Sequence, residues 1–321
     1  MTDDLGFRIV GPCIGERRLV SWPAAFIAYA TLDERIDANC EGYLSAFCFG
    51  DEFKQHLDVH NSTKGFNGSC GSEFVWLDID RTDLEAARRD AARLVLFIIE
   101  RYQLDDDGLL VFFSGSKGFH IGLPTELWQP PASMTFNAVA RRLAEGLAAS
   151  AQVAIDSGVF DKVRAFRAPN SRHAKTGLHK RTLTLDELTR LSVERIQELA
   201  REPMPFDVPT VSTQYEKAAA DWQAAAMLVE REAEAIRERQ AMAKGSGKLN
   251  RATLVFIRDR GGAGDRHRLL FSAAANLAEF GCPAELARAL LSEAALDSGL
   301  SPSETRRQID CGLNHSKEIE S

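Results

Sequence analysis

The stretch from Glu73 to Leu123 constrains the fold more than any other part of the chain. Glu73-Phe74-Val75-Trp76-Leu77-Asp78-Ile79-Asp80 is a run of strand-forming residues, and Thr82-Asp83-Leu84-Glu85 follows it directly with a capping-box pattern. The helix opened there is expected to run to about Gln103. Its apolar positions Ala86, Ala87, Leu94, Phe97 and Ile98 share a stripe while Arg88, Arg89 and Arg93 lie elsewhere, the pattern of a helix laid on a sheet. Asp105-Asp106-Asp107-Gly108 is a turn. Leu109-Leu110-Val111-Phe112-Phe113 then reads as a buried strand and Phe119-His120-Ile121-Gly122-Leu123 as its partner. Strand, helix, strand, strand is the signature of an α+β body.

The rest of the chain extends this plan. An amphipathic helix is expected over 133–151, and Thr184-Leu185-Asp186-Glu187 is a second capping box that starts a helix towards Ala200. Pro203, Pro205 and Pro209 break the pattern. Tyr215 to Ala243 is rich in helix formers, with Trp222, Ala226, Val229, Ala233 and Ile236 on one narrow seam, and Gly245-Ser246-Gly247 reads as a flexible joint. From Asn250 the pattern is helical, punctuated by Gly261-Gly262-Ala263-Gly264 and by Ser301-Pro302-Ser303-Glu304, an N-cap with Pro at N1 and Glu at N3. The expected domains are a body at 1–212, a connector helix and joint at 213–249, and an all-helical domain at 250–321.

Composition narrows the function classes. The 321 residues carry a net charge of −7, which argues against a protein that coats nucleic acid through global charge. The longest apolar stretch, Leu94 to Ile99, is far too short for a membrane span, and Met1-Thr2-Asp3-Asp4 lacks the basic start of a secretory signal. The six cysteines form no C-x-x-C pair and suit a reducing cytoplasm. The expectation is a cytoplasmic protein with no membrane partner.

Three segments carry chemistry. In Asp78-Ile79-Asp80, side chains at i and i+2 of a strand share a face, so two carboxylates stand together while Ile79 enters the core. Hard oxygen ligands of this kind favour Mg²⁺ or Mn²⁺, although acidic residues also suit a helix start for its dipole alone. Ser114-Gly115-Ser116-Lys117-Gly118-Phe119-His120 is a glycine-bearing turn between strands, able to converge backbone N–H groups, hydroxyls, an ammonium and an imidazole on an anion. A bland hairpin would not need Lys117 and His120. Between 156 and 181 lie seven Lys or Arg against two Asp, a local +5, and Arg164 and Arg167 around Phe166 suggest a strand with one ordered basic face.

Together these segments resemble the archaeo-eukaryotic primase superfamily, the catalytic primase subunits and primase-polymerases. Asp78-x-Asp80 is similar to its first motif, and Ser-Gly-Ser-Lys-Gly-Phe-His at 114–120 to its second, Ser-Gly-x-x-Gly-x-His. Asp156 with Val159 and the following Arg-x-Phe-Arg resembles its third, and Pro-x-Ser-x-His-x-Lys-Thr-Gly at 169–177 the segment after it. The resemblance covers roughly 40–200. It implies an RRM-like primase-polymerase core of antiparallel or mixed sheets flanked by helices, with a C-terminal helical bundle like those of plasmid and phage primases.

The resemblance further implies that Asp78, Asp80 and Asp156 are catalytic ligands of two Mg²⁺ or Mn²⁺ ions, with Asp161 a competitor for the third place. Ser114, Ser116, Lys117 and His120 would contact an incoming triphosphate. Arg164, Arg167, His173 and Lys175 would contact nucleotide or template, and Arg172, Arg266 and Arg268 are candidate template contacts. The implied activity is a nucleotidyltransferase making short primers de novo on single-stranded DNA from NTPs, dNTPs or both. A primer-extending polymerase and a non-catalytic single-stranded-DNA-binding replication protein are the alternatives. The zinc module of some relatives is not expected here, because Cys40, Cys48, His56, His60 and Cys70 match no familiar zinc spacing and buried free thiols fit better. Gly245-Ser246-Gly247-Lys248 lacks the spacing of a phosphate-binding motor loop, so a replicative helicase is expected to act in trans.

Overall fold

Two antiparallel sheets meet through a layer of aromatic side chains. In chain order the elements are β1 (Leu5–Val10), β2 (Arg18–Ser21), α1 (Trp22–Thr31), β3 (Gly42–Ser45), β4 (Cys48–Phe49), α2 (Asp51–His60) and β5 (Cys70–Gly71). Next come β6 (Phe74–Asp80), α3 (Leu84–Tyr102), β7 (Leu110–Phe113), β8 (Gly118–Pro124), α4 (Phe136–Ser150), β9 (Ala165–Arg167), β10 (Arg181–Thr182), α5 (Leu185–Arg190) and α6 (Val193–Leu199). The helices α7 (Glu216–Ser246), α8 (Arg251–Asp259), α9 (Arg266–Glu279), α10 (Ala284–Asp297) and α11 (Pro302–Glu318) follow. The computed structural model describes residues 4–211, 216–246, 249–260 and 264–318.

One sheet has the order β5-β4-β1-β3-β9, with β2 also paired to β1, and the other the order β10-β7-β8-β6. Alternation along β6 and β8 divides their side chains. Leu77, Ile79, Phe119 and Ile121 are fully buried and face the apolar stripe of α3, formed by Ala87, Ala91, Leu94, Val95 and Ile98. On the opposite face Trp76 stands 5.3 Å from Phe166 of β9 and 6.2 Å from Phe26 of α1, and Phe112 lies 5.2 Å from Phe206. Asp78 and Asp80 continue the face of Trp76, which places them at the end of the layer between the sheets.

Several local expectations shift for physical reasons. The first capping box does not form: Asp83 is the N-cap of α3, accepting from the Glu85 amide at 2.9 Å, while the Glu85 carboxylate is bound by Arg88 at 2.6 Å and cannot reach back. The helix expected from 133 starts at Phe136 because Ser133 is used in a mutual pair of backbone hydrogen bonds with Cys70, both 3.0 Å. The second capping box is present on Thr184 and Glu187. Its helix stops at Arg190, since Leu191 is extended and Ser192 caps a new helix through the Arg195 amide.

The chain divides into two compact units, Met1–Glu230 and Arg231–Ser321, with the division inside α7. The start of α7 is anchored to the first unit: Asp221 accepts from Arg101 Nε at 2.6 Å and from the Tyr102 hydroxyl at 2.8 Å, and Trp222 packs 5.3 Å from Phe136. Only part of the expected seam is covered. Trp222, Ala226 and Val229 join the core, whereas Ala233 and Ile236 are exposed. The second unit has its own core around Phe256, Leu270, Leu277, Leu291, Ile309 and Leu313, and Ser301 with Glu304 forms the expected reciprocal cap of α11.

Gly245 and Ser246 complete α7, while Gly247 and Lys248 of the expected joint lie outside the described residues. So do residues 1–3, residues 212–215 at the expected domain border, and Gly261-Gly262-Ala263. Among the described residues no helix is long and apolar enough to cross a membrane.

Candidate active site

The register of β6 against β8 sets Asp78 opposite His120 and Asp80 opposite Gly118. The glycine is a steric requirement, because a Cβ there would stand 2.2 Å from the Ile79 carbonyl oxygen and 2.4 Å from Asp80 Oδ1. Asp156 reaches the same place from a distant part of the chain, its amide donating to the Asp78 carbonyl at 2.8 Å. Asp161 lies at the far end of the intervening 3₁₀ turn, Ser157–Phe160.

Asp78 is mostly buried and its Oδ1 makes no hydrogen bond. Burial first, then the charges of Asp80 and Asp156, push its carboxyl up to about 7, against the opposing pull of Lys180 and Arg164. Lys117 Nζ lies 2.9 Å from Asp80 Oδ2, and Asp156 Oδ1 accepts from the Gly158 amide at 2.8 Å as the cap of the 3₁₀ turn.

Among the described residues no group of three or more His, Cys, Asp or Glu side chains stands close enough to hold a metal ion as placed. The donor chemistry nevertheless fits a hard divalent cation. A buried carboxylate oxygen lacks a partner, a second carboxylate lies two residues away on the same face, and a third is tied to the first through the backbone. Gly158 engages only Oδ1 of Asp156 and Lys117 meets only Oδ2 of Asp80, so each carboxylate keeps a second oxygen for a cation.

His120 is buried, with Nε2 3.5 Å from Asp78 Oδ1, Nδ1 without a partner, and its ring 4.4 Å from Phe166. Burial and the nearby Lys180 and Arg167 push its pKa well below the usual imidazole value, so the ring is neutral. In this position it addresses the carboxylate. Ser114 is likewise buried, and its Oγ accepts from the amides of Ser116 and Gly118 at 3.4 and 3.2 Å, which organises the turn. Ser116 is half-buried and Lys117 exposed.

A second loop docks on this turn, because Thr176 Oγ1 donates to the Gly115 carbonyl at 2.6 Å. Lys175 and Arg172 of that loop are exposed, and Arg172 Nε bonds the Gly177 carbonyl at 3.0 Å. His173 is half-buried, with Nδ1 accepting from the Lys175 amide at 3.3 Å. The anticipated single basic face does not form. Arg164 is exposed ahead of β9, while Arg167 lies over the Tyr43 ring at 5.0 Å and within 3.4 Å of Glu41 Oε1. Positions three apart on an extended chain point to opposite sides, which separates them.

Arg266 and Arg268 belong to the second unit. There Arg266 bonds the Ser298 carbonyl at 3.1 Å and Arg268 pairs with Asp265 at 3.2 Å. Of the cysteine and histidine set, Cys48 and Cys70 are buried on β4 and β5, Cys40 donates to Asp37 Oδ2 at 3.0 Å, and His56 and His60 have ring centres 4.5 Å apart on α2.

Sequence reasoning counted Lys180 as charge and gave it no place. It is fully buried, with Nζ 4.9 Å from the centre of the Trp76 ring, 4.8 Å from Phe112 and 4.3 Å from Phe166, and it donates to the Arg167 carbonyl at 2.8 Å. Nothing local announces this role, since the three rings come from three other strands.

No family model matches the sequence, and no curated protein matches it. Among solved structures the chain is similar to one described as the crystal structure of primase RepB', with 13% sequence identity and a TM-score of 0.38 over 99% of this chain and 91% of that one.

Proposed function

We propose that the chain is a primase, a nucleotidyltransferase that joins nucleotides into short primers on single-stranded DNA. The observation that carries the reading is the convergence at one sheet edge of Asp78, Asp80 and Asp156 beside the glycine turn and the docked loop bearing Lys175. Asp78, Asp80 and Asp156 would hold Mg²⁺ or Mn²⁺. Bound there, the cations supply the lowered pKa of an attacking 3′-hydroxyl and charge compensation for the leaving pyrophosphate.

The chain's own residues do the positioning. Buried, neutral His120 keeps its ring against Asp78 and adds no charge that would compete for the carboxylate. Lys117, exposed on Asp80, can exchange that carboxylate for a phosphate oxygen, and Lys175 offers a second ammonium from the docked loop. Arg164 and Arg172, both exposed, supply charge for the nucleic-acid backbone. A replicative helicase would act in trans on the same template.

The test is incubation with unprimed single-stranded DNA, ribo- and deoxyribonucleotides offered separately, and Mg²⁺ or Mn²⁺, with Asp80→Ala as the control protein. New short products that vanish in the variant support the reading. Extension only of supplied primers replaces it with a primer-extending polymerase, and DNA binding without incorporation under either metal replaces it with a non-catalytic binding protein.

A further inference from the structure

We infer that Arg81 is the positioning residue that fixes Asp156 against Asp78. Its guanidinium bonds three separate parts of the first unit. Nη1 donates to the Asp80 carbonyl at 2.9 Å, Nη2 donates to the Ala154 carbonyl at 2.8 Å, and Nε and Nη2 both reach Asp90 Oδ2, at 3.0 and 2.8 Å. These groups are the last residue of β6, the segment two residues before Asp156, and the middle of α3. Arg93 also pairs with Asp90, so the carboxylate that orients Arg81 is itself held from the other side.

The consequence is geometric. Asp156 belongs to a segment that joins no strand, and its amide meets the Asp78 carbonyl in a backbone hydrogen bond of 2.8 Å, flanked by Val153, Ile155 and Val159 packed in the core. The bond from Arg81 to Ala154 tethers that segment just upstream and refers it to the strand end carrying Asp80 and to the helix behind the sheet. A planar fork with donors in several directions can hold three sites at once, which a lysine ammonium on a flexible stem cannot reproduce. Arg81 touches none of the three candidate carboxylate side chains and acts through the backbone that carries them.

This inference rests on the proposed role of Asp78, Asp80 and Asp156 in metal binding, and the test separates the two. In full-length protein, Mn²⁺ affinity is measured from the resonance of the free ion, and hydrogen exchange at the Asp156 amide is measured without metal. Arg81→Met is expected to weaken Mn²⁺ binding about 10-fold or more, within the range for partners behind metal ligands. It is also expected to speed exchange at Asp156, with Arg81→Lys intermediate in both. If Arg81→Met does not fold, Asp90→Asn, which keeps the guanidinium and removes the charge that orients it, is expected to shift both readouts in the same direction. Wild-type values for Mn²⁺ affinity and Asp156 exchange in a folded variant overturn the inference. A wild-type protein that binds no Mn²⁺ overturns the metal-site reading instead, and Asp156 exchange then still decides whether Arg81 is the tether.

Discussion

Asp78 is held where its ionised form is disfavoured by burial and by two neighbouring carboxylates. Its pKa rises from 3.8 in the unfolded chain to about 7 in the fold. For an acid shifted upward, the folded state binds the proton more tightly, so its contribution to stability is fully present below the unfolded value and is lost as pH rises through the folded one. Asp78→Asn mimics the protonated form. Without metal at about pH 8 it is expected to melt above the wild type, the gap closing as pH falls towards the unfolded value, while primer synthesis is lost; paired melting curves over that range check the sign. Gly118→Ala tests the opposite strand, because a methyl group cannot fit between the Ile79 carbonyl and Asp80 without parting the strands. It is expected to cost about 1–3 kcal/mol in a denaturant titration and to reduce nucleotide incorporation together with stability. At this scale the shared face of Asp78 and Asp80 was legible, since it follows from spacing along one strand, whereas the placing of His120 against Asp78 was not, because it depends on the register of β8 on β6. Arg81 and Lys180 were not, because their partners are remote: Arg81 bonds a carbonyl 73 residues away.

The succession β6, α3, β7, β8 was legible because alternation and helical periodicity are local signals that the packed sheet then satisfies on both faces. Element ends were less so. Glu85 was free to complete a capping box in the sequence but is paired with Arg88 in the fold, and Ser192 divides a helix by capping its second half. The seam on α7 was visible as a stripe, yet nothing in its spacing says that Trp222, Ala226 and Val229 find a surface while Ala233 and Ile236 do not. Asp221 explains part of the anchoring, since it receives two donors from Arg101 and one from Tyr102. Asp221→Ala leaves those donors unpaired and is expected to cost about 1–3 kcal/mol, with faster amide exchange over 216–230 than in the wild type. Unchanged exchange there would assign the anchoring to the apolar contacts of Trp222, Ala226 and Val229.

Over the whole molecule, charge is organised by location. The chain carries −7 overall, yet 156–181 carries a formal +5, of which Arg164, Arg172 and Lys175 are exposed while Lys180 and Arg181 are buried, so only part of that local charge faces solvent. Two separate apolar cores predict two separable unfolding events. Gly312 sits where α11 crosses α9, and a Cβ there would lie 2.5 Å from the Phe271 carbonyl and 2.7 Å from Ala274 Cβ. Gly312→Val is therefore expected to lower one calorimetric transition and leave the other in place; a single transition moving as a whole would show that the cores melt together. The helical character of the C-terminal part was readable from periodicity and caps, but the position where one unit gives way to the next falls inside a continuous helix that composition does not mark. β6 is also the terminal strand of its sheet, and on its outer edge the segment that receives Arg81 occupies the Asp78 carbonyl. A strand with uncovered backbone groups is a template for pairing with another chain. Loosening residues 154–156 would thus expose a sticky edge as well as misplace a carboxylate, and loss of function and self-association would arise from the same lesion.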